Sequence, residues 1–114
     1  SIYPQKRVLR PSDVSFASIC AKEAACREAQ IHYLKIIEDI ETTPELLTTL
    51  TAYLLDHESS MANTAKALCC HINTIKYRLN SIRDNTGYSP SKPADVYPLL
   101  IAVAINRMKN SENE

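Results

Sequence analysis

The chain has one glycine, no tryptophan and a single phenylalanine among its 114 residues. Hairpin turns draw on glycine, and strands draw on β-branched and aromatic clusters, so a β-rich fold has little to build on. An all-α fold is the economical reading. No apolar run approaches the roughly 20 residues needed to span a bilayer, and no signal peptide is visible. No membrane role is therefore expected, and the expected location is the cytoplasm. The chain opens on Ser1 rather than Met and reads as a piece of something longer. The four cysteines do not make a disulfide framework. Cys20 and Cys26 sit within a helical pattern, and the adjacent Cys69 and Cys70 cannot easily bridge each other. Small, mostly buried hydrophobes are the expectation for all four.

Hydrophobic residues make up 45% of the chain, too many for disorder. Net charge is formally zero, which by itself argues neither for nor against a nucleic-acid partner, but the charges are not evenly spread. Residues 36–58 carry Glu38, Asp39, Glu41, Glu45, Asp56 and Glu58 with no lysine or arginine. Residues 59–83 carry Lys66, Lys76, Arg78 and Arg83 with no acid. Such a division suits a molecule with one face meant for an anion.

Apolar periodicity then sets the elements. Ser12 is an expected N-cap, and Val14, Ala17, Ala21, Ala24, Ile31, Leu34 and Ile37 recur at helical spacing to about residue 41. Thr43-Pro44-Glu45 is a helix start, with Pro at the first helical position and an acid in the first turn. A stripe of Leu46, Leu47, Leu50, Tyr53 and Leu54 follows. Ser60 is the expected N-cap of a short helix over 61–69. A tight turn at about 70–72 leads to a helix carrying Ile75, Leu79 and Ile82, which stops at Gly87. A last helix is expected over 95–109, with Pro98 in its first turn. The implied organisation is a lead-in and helical arm over 1–43, a core domain over 44–109, and a frayed tail over 110–114.

A short helix, a turn of a few residues and a second helix over 60–87 is the layout of a helix-turn-helix. Ala65 is small enough for a close helix crossing, and Leu68, Ile75 and Leu79 can set its angle. The second helix would then lie in a major groove about 12 Å wide. Asn73 suits a bidentate contact to adenine, and Thr74 offers a hydroxyl to phosphate or a methyl to thymine. Lys76, Tyr77 and Arg78 add two cations and a phenol on the next turn. Free N–H groups around Ser60, Asn63 and Thr64, and around His71 and Asn73, are candidates for phosphate oxygens.

Three strings carry a family resemblance: Glu45-Leu46-Leu47-Thr48-Thr49-Leu50, then Thr64-Ala65-Lys66-Ala67-Leu68, then His71-Ile72-Asn73-Thr74-Ile75-Lys76-Tyr77-Arg78-Leu79. Together they resemble the C-terminal helix-turn-helix domain of the PucR/CdaR family, regulators of purine catabolism and sugar-diacid use. The Fis-like helix-turn-helix is similar in layout. The resemblance implies an all-α helical bundle and a DNA-binding output domain of a bacterial transcription regulator. Its partner would be double-stranded DNA, and its effector a small molecule bound by a region outside this chain. Residue by residue, His71, Asn73, Thr74, Tyr77 and Arg78 match the family string. Ile72 departs from it, because relatives often carry a basic residue there, and this points to an altered DNA preference.

No paired carboxylates, phosphate loop or partnered nucleophile occurs, so no enzyme and no cofactor is expected. Cys69-Cys70-His71 lacks the further ligands of a structural zinc site, and His71 reads instead as an N-capping or buried histidine. The alternative function is a protein–protein or dimerisation module. A DNA reader leaves Asn73, Thr74, Lys76 and Arg78 exposed together, whereas a bundle covers them. The Ala-rich stripe of the first helix is a reasonable contact for a homodimer.

Overall fold

The computed structural model describes residues 26–112. Among them every regular element is helical. The expected Ser12 cap, most of the Ala-rich stripe and Cys20 lie outside the described residues. The first helix, α1 (Arg27–Ile36), gives way to a 3-10 turn (Glu38–Ile40), so the apolar pattern expected to run to about residue 41, as one helix or as two with a break, changes pitch at Ile37. Ile36, Ile37 and Ile40 are all buried, and α1 packs chiefly against the last helix. Residues 27–40 therefore share the core with everything that follows. The expected division at 43/44 marks no break in packing, because the isoleucines before it are sealed by residues after it.

Helix α2 (Pro44–Thr51) starts as its sequence dictates, with Pro44 at the first position and Glu45 in the first turn. The Thr43 side chain makes no capping bond; its carbonyl accepts instead from the Leu46 N–H at 2.9 Å. Leu46 and Leu50 point into the core. At Ala52 the helix widens into a π turn (Ala52–Asp56), closed by the His57 N–H donating to the Ala52 carbonyl at 3.0 Å. The stripe read from the sequence assumed an α pitch throughout. The wider turn lets four successive residues, Ala52, Tyr53, Leu54 and Leu55, be buried together. Asp56, at the end of this turn, receives Arg107 in a bidentate pair at 2.7 and 2.8 Å, which ties it to the last helix. The chain then reverses through Glu58 and Ser59, both at positive φ.

Two more helices, α3 (Met61–Ala67) and α4 (Ile72–Thr86), precede the last one, α5 (Pro93–Glu112). Gly87 ends α4 at φ 79°, a conformation that costs glycine nothing. The loop to α5 is held by the Asp95 carboxylate, which accepts the Ser89 N–H at 3.0 Å. Lys92 supplies the carbonyl that starts α5, accepting from Asp95 at 2.9 Å and Val96 at 3.0 Å. The helix thus begins earlier than expected and leaves Pro98 inside it rather than in its first turn. It also runs on to Glu112, through much of the expected tail. Leu99 and all five residues over 101–105 are buried, because α5 lies between α1 on one side and α2 with its π turn on another. Burying the leucine, valine and isoleucine side chains among them contributes about 1.5–3 kcal/mol each.

Candidate nucleic-acid interface

The helix pair α3–α4 is built by local signals that can be followed atom by atom. Ser60 caps α3, its Oγ accepting the Asn63 N–H at 3.1 Å. The other end of α3 closes with two bonds: the Cys69 N–H donates to the Lys66 carbonyl at 3.2 Å and the Cys70 N–H to the Ala65 carbonyl at 3.0 Å. This is the Schellman arrangement, with the left-handed position held by Cys69 at φ 55° where glycine is usual. His71 then caps α4, its Nδ1 accepting the Asn73 N–H at 3.0 Å. That bond requires an unprotonated Nδ1, so the neutral ring carries its proton on Nε2. Ala65, buried in α3, allows a close approach to α4.

Helix α4 divides lengthwise. Ile75, Leu79 and Ile82 point inward at spacings of four and three. Asn73, Lys76 and Tyr77 are exposed, Tyr77 at 73%. Ile72, Thr74 and Arg78 are half-buried on the flanks. Asn80, absent from the expected contact set, belongs to the exposed stripe because it follows Asn73 by two helical turns and Tyr77 by one. Extending the outward period past Lys76 would have found it. Further along, Arg83 and Asp84 form an exposed pair at 3.2 Å, which contributes little.

Other expected residues are placed differently. Thr64 is completely buried, its Oγ1 donating to the Ser60 carbonyl at 2.7 Å. That removes its side chain from any contact surface. Asn63 is exposed, but its N–H is taken by Ser60, as the Asn73 N–H is taken by His71. These two amides are therefore spent within the protein rather than offered to phosphate. Arg78 directs one nitrogen inward, Nη1 donating to Thr49 Oγ1 at 3.2 Å. Ile72 packs against the core, so this departure from the family string lies at the edge of the hydrophobic cluster. The cysteines also depart from expectation. Cys26 and Cys69 are exposed, while Cys70, which shares the turn between helices with Cys69, is half-buried against the core.

An open cleft of about 530 Å³ lies between α2, α3 and α5, away from α4, lined in part by Leu47, Thr51, Asp56 and Arg107. The charged pair within it is already engaged with itself. Among the described residues, no helix is long and apolar enough to cross a membrane.

A short capped helix, a four-residue connection and a second helix with a polar outer stripe define a helix-turn-helix domain. The family described as the PucR C-terminal helix-turn-helix domain matches residues 46–105, more than half of the chain, and the chain belongs to that family. It is a regulatory, DNA-binding family and not an enzymatic one. Uncharacterized proteins of Mycobacterium bovis and Mycobacterium tuberculosis are each 40% identical to it over 65 residues. That stretch is 57% of this chain and 16% of each relative, so the chain spans only a small part of their length. No solved structure matches.

Proposed function

We propose that the domain is the output module of a transcription regulator and reads double-stranded DNA with α4 in the major groove. The observation that carries this reading is the lengthwise division of α4. Three apolar residues anchor it, while Asn73, Lys76, Tyr77 and Asn80 stay exposed together over its first turns. A helix about 10–12 Å across fits a groove of that width. Asn73 and Asn80 carry the donor–acceptor pairs that suit adenine. Lys76 suits guanine or a phosphate, Thr74 a thymine methyl, and the ring of Tyr77 a sugar or base edge. His71 and Asn63 flank the stripe as further polar groups at the two helix starts. In this proposal two copies pair, presenting reading helices about 34 Å apart. The small-molecule effector binds another part of a longer, cytoplasmic protein.

The test is selection of bound duplexes from a random pool at a stated salt concentration, because affinity without it is uninterpretable. A recovered consensus is expected, and Asn73→Ala should relax it at one position, costing about 1–3 kcal/mol against the preferred base. Equal losses on every sequence would contradict base reading, and an unenriched pool would remove the DNA function. The exposed Tyr77 favours a second reading, in which another protein docks on the same stripe. An unenriched pool leaves that reading standing.

A further inference from the structure

We infer that Arg78 is a positioning residue: it holds the reading helix on α2 through Thr49 and is not a ligand of the DNA phosphates. The inference rests on the DNA-reading function proposed above. Arg78 stands between Tyr77, which is 73% exposed, and Leu79, which is 4% exposed. Its side chain therefore leaves α4 along the border between the outer and inner faces. There, Nη1 donates to Thr49 Oγ1 at 3.2 Å, joining two helices across 29 residues of sequence. Thr49 is completely buried, and its own hydroxyl proton goes to the Glu45 carbonyl at 2.6 Å. A hydroxyl has one proton and two acceptor sites. With the proton spent on α2, the oxygen is oriented as an acceptor, and the guanidinium fills that role. A hydrogen bond from a charged donor is roughly twice as strong as a neutral one.

The geometry makes the two roles separable. At zero exposure Thr49 cannot touch a duplex, so any change in DNA binding on removing its hydroxyl must travel through the fold, and pairing that change with one at Arg78 tells whether it passes through the α2–α4 bond. A phosphate ligand, by contrast, releases a counterion and steepens the dependence of affinity on salt.

The experiment compares Thr49→Val, Thr49→Ser, Arg78→Met and the Val/Met double variant of this chain on the duplex selected above. Thr49→Val and Arg78→Met are each expected to weaken binding about tenfold. The double variant should be no weaker than either single change, since both break one bond. Thr49→Ser, which keeps the hydroxyl, should bind as the unaltered chain does. All four should keep its salt slope. Arg78→Met lowering that slope by about 0.9, with Thr49→Val binding normally, would overturn the inference and make Arg78 a phosphate ligand. Urea denaturation without DNA gives an independent reading. Non-additive losses in the double variant support the link, and additive losses overturn it. If the unaltered chain enriches no sequence, the DNA function fails, and the urea cycle still decides whether Thr49 and Arg78 act together.

Discussion

Helices α4 and α5 follow one another in the chain, joined by a loop of six residues, yet they are used in opposite ways. In α5 five successive residues over 101–105 are buried, so the helix is covered all round through its middle. In α4 only Ile75, Leu79 and Ile82 are buried, and the remaining surface is polar or half-covered. A helix buried all round gives its surface to stability. One held by a narrow stripe keeps the rest for another molecule. The domain thus separates its two tasks by element: α5 holds α1 and α2 together, and α4 rides on that support with its polar side outward.

The contrast can be broken at three points. Ile105→Ala should cost the most, about 3 kcal/mol in urea denaturation, from lost burial and the cavity left behind. A cost below about 1 kcal/mol would mean that α5 is not the central support. Cys69→Gly should have a smaller effect of opposite sign, raising stability by about 1 kcal/mol, because glycine adopts the left-handed turn between α3 and α4 without penalty. A lower melting temperature would show that the Cys69 side chain contributes something its exposure does not reveal. Tyr77→Ala should change stability least, within about 0.5 kcal/mol, while weakening DNA binding. A stability loss above about 1 kcal/mol would make the tyrosine part of the fold and close the distinction between the two helices.

Much of the α3–α4 pair was legible from the residues. The capping serine at position 60, the small Ala65, the apolar period of Ile75, Leu79 and Ile82, and the stop at Gly87 are local signals, and each occurs where the sequence points. The exposed set was legible in outline, since a residue about half a turn from an apolar position faces outward. Thr64 escaped that logic. A threonine near a helix start looks polar and available, but its hydroxyl can bond to the carbonyl four residues back and let the side chain be buried. The charge of Arg78 suggests phosphate, and nothing local announces its bond to Thr49. The centrality of α5 was hidden as well. Its run Ile101-Ala102-Val103-Ala104-Ile105 has no period to assign an inner face, and it needs none once neighbours surround it.

Chain chemistry by itself decided where α2, α3 and α4 begin, that α4 stops at Gly87, that no sheet forms among residues 26–112, and which side of α4 would be apolar. Caps, prolines, the lone glycine and apolar spacing act within a few residues, so they can be read without knowing the fold. Three features came only from assembly: the π turn at Ala52–Asp56, the docking of α1 on α5, and the grip of Arg78 on Thr49. Each joins or adjusts surfaces that are distant in sequence. Their energies depend on what a side chain meets in space, and no short stretch of residues encodes that.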